Sequence, residues 1–333
     1  MKLVRPSFEI LEQKPKAIAI PDDMEIGPRM VREELLSSVY RQIEIAGRIC
    51  YKSEDKITDT SAKEFVERMV KSGHGAMLEH GTVYFRIPFG KMLDTGEFEN
   101  EALSCWFVDN PYSRVRTGGV GSEDCWYVTS NYRVLIENDL LYTLQYLSEP
   151  TEFHEKRVTV HFTTQIAITR EYNRHRVNSM AEQSTRYCNY GKDKFGGVGI
   201  NLPSWVDSEI QRLEDVTKNV LPTFEQLKEE YFSVSDQGIT KDDWGDIEWW
   251  LWSNLVAEES YLKLIEKGRK PQEARVVLPL DTNTELIHTA FVSDWNHFFR
   301  LRSRIAETGK PHPQAQELAD PLMDEFIKKG YIN

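Results

Sequence analysis

A short stretch near the middle of the chain concentrates side chains that bind shaped anions. Four arginines and no lysine fall within 17 residues of a chain whose net charge is −12, namely Arg170, Arg174, Arg176 and Arg186. Arginine presents a planar fork of donors that matches phosphate and carbonyl groups bidentately. The alternative is a solvated helix end whose arginines are paired with carboxylates, and these residues alone do not decide between the two interpretations.

The residues that follow add groups suited to holding a phosphate. Glu182, Gln183, Ser184 and Thr185 stand directly before Arg186. Ser184 lies in no G-x-S-x-G context, which disfavours a role as nucleophile. Backbone N–H groups and hydroxyls that cradle an anion are the favoured interpretation of this segment.

Composition excludes several classes of protein. The acidic balance of 41 basic against 53 acidic residues opposes general nucleic-acid or lipid-surface binding. The four cysteines form no C-x-x-C pair, and His74, His80 and His175 match no zinc spacing, so we expect no metal site. With no apolar run of about 18 residues and no signal-peptide pattern, we expect a cytoplasmic protein that does not enter a membrane.

The elements that must position these residues alternate between helix and strand. Hydrophobic periodicity predicts helices at 33–52, 61–71, 132–147, 164–176, 208–233, 241–268, 271–277, 293–306 and 313–329. Strands are predicted at 81–88 and 157–162, and 284–291 is interpreted as a strand or a helix start. Ser61 and Glu64 form a candidate capping box. Residues 90–127 and 192–208 are predicted to be irregular, with a loop at 118–122. This order indicates an α/β (α+β) fold.

Four motifs together resemble one enzyme family. Arg174-His175-Arg176, seven residues and Ser184 resemble the RHR-x7-S signature of flavin-dependent thymidylate synthases, and the run continues as S-x-R-Y through Tyr187. Gly73-His74 with Glu79-His80 resembles the family's GH-x4-EH element, and Ala274-Arg275 through Pro279-Leu280 its AR-x-x-LP element. Leu301-Arg302 and the later His312-Pro-Gln-Ala-Gln resemble its LR…HAQ region. The matches keep the family's order across most of 33–88 and 157–329.

The resemblance implies a fold, a reaction and an assembly. It implies a single thymidylate-synthase-complementing domain over 1–333, a compact mixed sheet with surrounding helices, assembled as a homotetramer with active sites at subunit interfaces. The implied reaction is methylation of dUMP to dTMP, with methylene-tetrahydrofolate as carbon donor and NADPH-reduced FAD as hydride source. In such a reaction the flavin supplies the redox chemistry while the protein orients it.

The resemblance also implies a role for each matching residue. Arg302, Arg174 and Ser184 are the implied catalytic residues, with Arg302 polarising the uracil ring. The implied FAD ligands are Arg174, His175, Arg176, Glu79, His74 and His297. The implied dUMP ligands are Glu171, Arg174, Glu182, Gln183, Ser184, Thr185, Arg186, Arg275 and Arg302.

The chain departs from the family at several positions. An insert at about 89–156 has no counterpart in many members. We favour the interpretation that it is a surface excursion, a segment that lies on the outside of the domain. Ala181 stands where asparagine is common, and Glu171 where glutamine often contacts the nucleotide; an ionised glutamate can only accept hydrogen bonds. Phe291 and Ser293 replace residues that often contact FAD. Two alternatives therefore stay open: an enzyme of this fold acting on another pyrimidine nucleotide, and an inactive nucleotide-binding homologue.

Overall fold

The computed structural model describes residues 1–14, 28–120, 123–192, 194–215, 220–232 and 241–333. Its strands are β1 (Lys2–Val4), β2 (Ser7–Leu11), β3 (Thr82–Pro88), β4 (Arg114–Val120), β5 (Glu123–Asn131), β6 (Arg157–Gln165), β7 (Ser179–Glu182), β8 (Gly199–Asn201) and β9 (Asn283–Phe291). Its helices are α1 (Pro28–Tyr51), α2 (Ser61–Lys71), α3 (Gly75–Leu78), α4 (Glu101–Val108), α5 (Tyr132–Glu137), α6 (Ile166–Tyr172), α7 (Ser204–Ile210), α8 (Phe224–Phe232), α9 (Asp246–Glu266), α10 (Pro271–Ala274), α11 (Val292–Arg302) and α12 (Pro313–Lys328). The mixed sheets and helices confirm the predicted α/β class.

A four-stranded antiparallel sheet lies at the centre, in the order β2-β6-β9-β7. Side chains alternate between its two faces, as in any strand. Ile287 and its partner Ala181 pack in the hydrophobic cluster that contains α1. Leu286 and its partner Phe162 pack in the cluster that contains α11 and α12. The sheet is therefore covered by helices on both faces.

The two central strands determine where the helices of the site converge. β6 passes directly into α6, and β9 passes directly into α11. Arg157 pairs with Phe291 and Gln165 with Asn283, so the carboxyl termini of the two strands lie at opposite ends of the antiparallel pair. Both helices run back along the strands, and their carboxyl ends meet where Arg302 donates to the Glu171 carbonyl at 2.7 Å.

The insert is a structured part of the core, which corrects two predictions. Its strands β5 and β4 extend β3 into a three-stranded antiparallel sheet, and α4 packs against them, so 90–127 is not irregular. Phe107, Val128 and Leu135 are fully buried in the same cluster as α1 and α2, so the insert is no surface excursion. β5 is buried on both faces and lacks the polar alternation by which a strand is recognised.

Several boundaries also differ from the predictions. The predicted loop at 118–122 begins as the end of β4, and positions 121–122 lie outside the described residues. The segment 192–208 holds β8 and most of α7, with position 193 outside the description. The helix expected at 132–147 is α5 followed by a 3-10 helix at Leu141–Tyr146.

The remaining differences concern helix ends and one ambiguous strand. The helix expected at 164–176 is α6 alone, because β6 continues to Gln165. Within 208–233, α7 and α8 are separate, and 216–219 and 233 are not described. Residues 271–277 form α10 and a 3-10 helix, Arg275–Val277. Segment 284–291 is strand β9.

Helix α2 has the predicted bounds without the predicted capping box. Thr60 precedes the helix and makes no side-chain cap. The Ser61 hydroxyl instead donates to Glu44 at 2.9 Å and accepts the Thr58 N–H at 2.9 Å. Helices α1, α9, α11 and α12 and strands β3 and β6 confirm their predictions, with element ends that differ by up to five residues.

Among the described residues, no helix is both long and apolar enough to cross a membrane.

Because the insert is buried in the same core as α1 and α2, we predict that removing one of its buried side chains destabilises the whole chain. Phe107→Ala should lower the free energy of unfolding by roughly 3–5 kcal/mol, because the phenyl ring is fully buried in the core. Urea denaturation followed by circular dichroism measures the change. Tyr142→Ala, in the same insert but 59% exposed, is the control and should change stability by less than about 0.5 kcal/mol. A Phe107→Ala effect no larger than the control would show that the insert folds apart from the core.

Candidate functional site

One cavity of about 550 Å³ brings together six of the residues predicted to hold the nucleotide. Its walls are the start of α6, the segment after β7 and the segment after α10. The predicted residues that line it are Glu182, Gln183, Ser184, Thr185, Arg186 and Arg275. Arg170 and the apolar residues Val276, Leu278, Pro279 and Leu280 complete the lining.

Backbone hydrogen bonds fix the segment after β7. Gln183 donates its N–H to the Glu285 carbonyl at 2.7 Å, and Ser184 donates to the Cys50 carbonyl at 2.9 Å. The Ser184 carbonyl accepts from the N–H groups of Tyr187 and Cys188, which closes a tight turn. Arg275 donates to the Thr185 hydroxyl at 2.9 Å and joins the two walls. The polar groups of the turn are thereby held in place without a ligand.

The arginines of the cluster have no carboxylate partners among the described residues. Arg170, Arg174, Arg176 and Arg186 make no ion pair there, although Arg186 lies 5.8 Å from the ring centre of Tyr187. Many other arginines are paired; Arg133, for example, binds two glutamates. This opposes the interpretation of the cluster as a carboxylate-paired helix end and leaves its donors available for an anion.

Glu182 connects the cavity to helix α6. Its carboxylate accepts from the Thr169 hydroxyl at 2.7 Å and from the Asn173 amide at 2.9 Å. Thr284 on β9 donates to the same carboxylate at 3.4 Å. These bonds hold the carboxylate at the back of an otherwise cationic cavity, where it can accept hydrogen bonds from a ligand.

A second group of predicted residues lies where α6 and α11 meet. The Arg302 side chain, 14% exposed, donates to the Glu171 carboxylate at 2.6 Å. Its Nε lies 3.4 Å from Nε2 of His175, which acts as acceptor. Burial, assisted by the neighbouring Arg302 and His297, lowers the pKa of His175 to about 4. His175 is therefore neutral at physiological pH and can accept a hydrogen bond from Arg302.

The other predicted FAD ligands fall into three places within one chain: His74 near the turn after β7, Glu79 in a separate cavity, and Arg174, Arg176 and His297 beside His175. His74 is exposed and contacts the Tyr51 hydroxyl at 3.1 Å, and Tyr51 packs edge-on against Tyr187 beside the turn. Glu79 accepts from Arg133 at 2.5 Å in a separate cavity. Arg174 and Arg176 are exposed on the segment after α6, and His297 is exposed on α11. The ring centres of His175 and His297 are 5.9 Å apart.

The structure places two residues of the insert, Arg114 and Glu155, beside the two positions where the sequence predicts a departure from the family, Phe291 and Ser293. Arg114 on β4 lies 4.4 Å from the ring centre of the buried Phe291, and its guanidinium is 3.5 Å from Asp294. The Ser293 N–H donates to Glu155 at 3.2 Å. The sequence does not predict this contact between the insert and the start of α11, because it does not predict strand β4.

Sequence reasoning also missed one lining residue of the cavity. Arg170 was recognised as part of the arginine cluster but not as a candidate ligand. It stands four residues after Ile166, another lining residue, so both lie on the same face of α6. That spacing was the available signal. The Ser184 hydroxyl, by contrast, contacts only the Arg186 N–H at 3.3 Å among the described residues, without the adjacent base of an activated nucleophile.

In the described part of the chain, no group of three or more histidine, cysteine, aspartate or glutamate side chains is arranged to hold a metal ion.

Comparison with known families identifies the class. The family model described as thymidylate synthase complementing protein matches residues 137–329, which include β6 to β9, α6, α11 and the cavity. The chain belongs to this family. The match confirms the resemblance found in the sequence, and it leaves the GH-x4-EH element and most of the insert outside the matched range.

Two curated relatives have a more specific name. The chain is 26% identical over 167 residues to the flavin-dependent thymidylate synthase of Thermosipho africanus, and 28% identical over 167 residues to that of Thermosipho melanesiensis. Each alignment covers 50% of this chain and 63% of the relative.

Two solved structures of a UMP/dUMP methylase, PolB from Streptomyces cacaoi, are similar over nearly the whole chain. The structure with 5-Br dUMP has a TM-score of 0.36 at 16% identity, covering 99% of this chain and 92% of that one. The structure with 5-Br UMP has a TM-score of 0.39 at 15% identity, covering 98% and 92%. Both TM-scores lie below 0.5.

The low pKa of His175 predicts a loss of stability in acid. The unfolded chain binds a proton near the ordinary value of 6.5 and the folded chain near about 4, so stability should fall as pH drops through this window. The contribution is about 3 kcal/mol. Urea denaturation of wild type and His175→Gln at pH 7 and pH 4 measures it, since glutamine keeps an acceptor for Arg302 without titrating. Equal losses in the two proteins would contradict the assigned pKa.

Proposed function

We propose that this chain is a flavin-dependent thymidylate synthase that methylates dUMP to dTMP. Methylene-tetrahydrofolate would supply the carbon, and NADPH would reduce the FAD. The observation that supports this most is the cavity after β7, where Arg170, Arg186 and Arg275 lie without carboxylate partners in the described residues. Family membership and the name shared by the two relatives support the same reaction.

The cavity suits the phosphate of a nucleotide. Arg186 and Arg275 can each donate two parallel hydrogen bonds to phosphate oxygens, and the Thr185 hydroxyl already lies 2.9 Å from Arg275. Glu182 on the inner wall can accept hydrogen bonds, as the sugar hydroxyl of dUMP requires. Holding the phosphate at one end orients the base for reaction.

Arg302 is suited to the chemistry of the base. Uracil must become electron-rich at C5 to attack the methylene carbon, and a fixed guanidinium stabilises the negative charge that develops on the ring. Arg302 is 14% exposed and is held by Glu171 and His175, so its position is set before a substrate binds. Because His175 stays neutral, Arg302 provides the positive charge of this group.

The residues present fit a flavin dinucleotide in part. Arg174 and Arg176 are exposed and unpaired within the described residues, as a diphosphate requires. His175 and His297 adjoin them, and FAD would supply the hydride when bound. Phe291 has no side-chain donor and is buried under Arg114, and the Ser293 N–H is already bound to Glu155, which leaves only the Ser293 hydroxyl as a donor at these two positions.

The separation of the predicted FAD ligands supports an oligomeric enzyme. Glu79 faces a different cavity from the turn after β7 in the same chain. A homotetramer in which active sites form at subunit interfaces would bring such separated residues together from different copies. Chain 1–333 would form one domain, with the insert at 89–156 as part of its core.

Product analysis tests the proposed reaction. The protein is incubated without air with FAD, NADPH, methylene-tetrahydrofolate and dUMP, and dTMP is measured by mass spectrometry. We expect dTMP only when flavin and reductant are both present. A parallel incubation with dCMP tests the alternative raised by Glu171, a carboxylate that can accept from an amino group on the base.

Two substitutions in α11 test whether formation of the product depends on the proposed site. Arg302→Ala should remove most turnover while leaving flavin binding nearly intact, because its role is at the base. Arg300→Ala, on the same helix and 60% exposed, is the matched control. Unchanged turnover in Arg302→Ala would rule out the activating role of Arg302. Methylation of dCMP but not of dUMP would show that dCMP is the substrate.

The proposed phosphate contact predicts a specific loss of substrate affinity. Arg275→Ala should raise KM for dUMP by roughly 10- to 150-fold, the effect of one charge-assisted hydrogen bond worth about 1.5–3 kcal/mol. Steady-state kinetics measures it at saturating cofactors. Arg269→Ala, a nearby exposed arginine paired with Glu273, should leave KM unchanged. The same KM in both variants would show that the phosphate lies elsewhere.

A further inference from the structure

Four of the chain's eight tryptophans fall within nine residues around the start of α9. Trp250 is buried in a hydrophobic core cluster, and its indole N–H donates to Asp281 at 3.1 Å. Trp244, Trp249 and Trp252 lie outside the core clusters of the described residues, and Trp249 is 44% exposed. These three residues form a group at the surface, the tryptophan cluster.

The rings of the tryptophan cluster pack at steep angles to one another. The ring centre of Trp249 is 5.1 Å from that of Trp244 and 5.9 Å from that of Trp252, with interplanar angles of 67° and 89°. Trp244 and Trp252 are 6.2 Å apart at 58°. The face of an indole ring carries the negative part of its quadrupole and attracts cations. Rings that point in different directions can therefore contact one cation from more than one side.

A cation of the chain itself lies on the tryptophan cluster. Nζ of Lys241 is 3.8 Å from the ring centre of Trp252 and 5.4 Å from that of Trp244, both within the distance of about 6 Å at which such attraction is effective. The carboxylates of Asp242 and Asp246 are exposed and close in sequence, yet Lys241 makes no ion pair among the residues that the structure describes. The cluster thus holds an ammonium group although carboxylates are nearby.

A groove of about 570 Å³ begins at Trp252 and follows one face of α9. Leu255, Val256 and Leu262 give it an apolar lining, and Val256 and Leu262 are more than a third exposed. Glu259 lies on the same face of the helix, since it stands three residues after Val256 and three before Leu262. The groove can therefore contact an alkyl chain that extends from a cation at Trp252.

The charges that line the groove favour a cationic ligand. Lys228 and Lys263 each lie within 3.6 Å of a glutamate on their own helix, which neutralises them. Glu258 accepts from the N-terminal ammonium group at 3.0 Å. In the described part of the chain Glu259 has no such ion pair, so its carboxylate is available to attract a positive charge.

We propose that the tryptophan cluster and the groove form a binding site for a small molecule with an alkylated ammonium group and an apolar chain, and that Lys241 occupies the cation position when no ligand is bound. The primary ammonium of lysine is strongly hydrated, so an alkylated ammonium, which loses less hydration, can replace it on the rings. The groove volume lies within the range of about 300–1,000 Å³ usual for small-molecule sites. No residue of α9 lines the proposed dUMP cavity, so the two sites are separate.

NMR titration of the full chain tests the proposal, with saturation transfer to the ligand's methyl protons as the signal. The probes are choline, its uncharged isostere 3,3-dimethyl-1-butanol, and hexyltrimethylammonium, which adds an apolar chain. We expect choline to bind with a Kd in the millimolar range and the uncharged isostere at least about tenfold more weakly, equivalent to about 1.4 kcal/mol. Hexyltrimethylammonium should bind at least about tenfold more tightly than choline, because its chain contacts the groove.

Two substitutions assign the binding to these residues. Trp252→Leu should weaken binding of hexyltrimethylammonium by about tenfold or more, while Trp205→Leu, at a 48% exposed tryptophan on α7, is the matched control. Lys241→Gln should tighten binding by about threefold or more, because it removes the competing ammonium. Lys267→Gln, exposed just after α9, is the control for that change.

Three results would overturn the proposed ammonium site. Equal binding of choline and its uncharged isostere would show that the charge is not recognised. Unchanged binding in Trp252→Leu would place the cation elsewhere on the acidic surface. Unchanged or weaker binding in Lys241→Gln would show that Lys241 only fastens its segment to α9. Circular dichroism checks folding, and if Trp252→Leu is unfolded, Glu259→Gln replaces it with an expected loss of about threefold or more. These titrations contain no nucleotide or flavin, so their outcome is independent of the proposed reaction.

Discussion

The antiparallel pairing of β6 with β9 is the constraint on which the rest of the site depends. Because each strand passes without a loop into a helix, the register of the pair fixes where both helices begin. Their carboxyl ends then meet over one face of the sheet, and Arg302 reaches Glu171. A one-residue slip between the strands would turn every side chain to the opposite face and separate these groups.

Chemistry and architecture were predictable from the sequence to different degrees. The arginine cluster and the Glu182–Arg186 segment were recognisable because residue type alone indicates anion binding. That Arg275 would join them depended on family resemblance, since nearly ninety residues separate it from Thr185, which it contacts. No local pattern encodes such a contact.

What could not be predicted has a common physical cause. Strand β5 contains Cys125 through Asn131, with both faces buried, so polar and apolar residues do not alternate along it. Without β5, neither β4 nor the contact of Arg114 with Phe291 could be anticipated. At Phe291, where the sequence predicts a departure from the family, the aromatic ring packs under a guanidinium from the insert, which is a favourable arrangement.

The net charge gives the unpaired arginines their significance. On a chain with 53 acidic residues, carboxylates are abundant, and an arginine on an ordinary surface readily finds one nearby. Arg170, Arg174, Arg176 and Arg186 bind none in the described residues, although Glu171 and Glu182 lie within the same stretch of sequence. Glu171 is bound by Arg302, and Glu182 is bound by Thr169 and Asn173. The fold thus engages the local carboxylates with other partners and leaves the guanidinium groups open, and two of them, Arg170 and Arg186, bring positive potential to a cavity of an acidic protein.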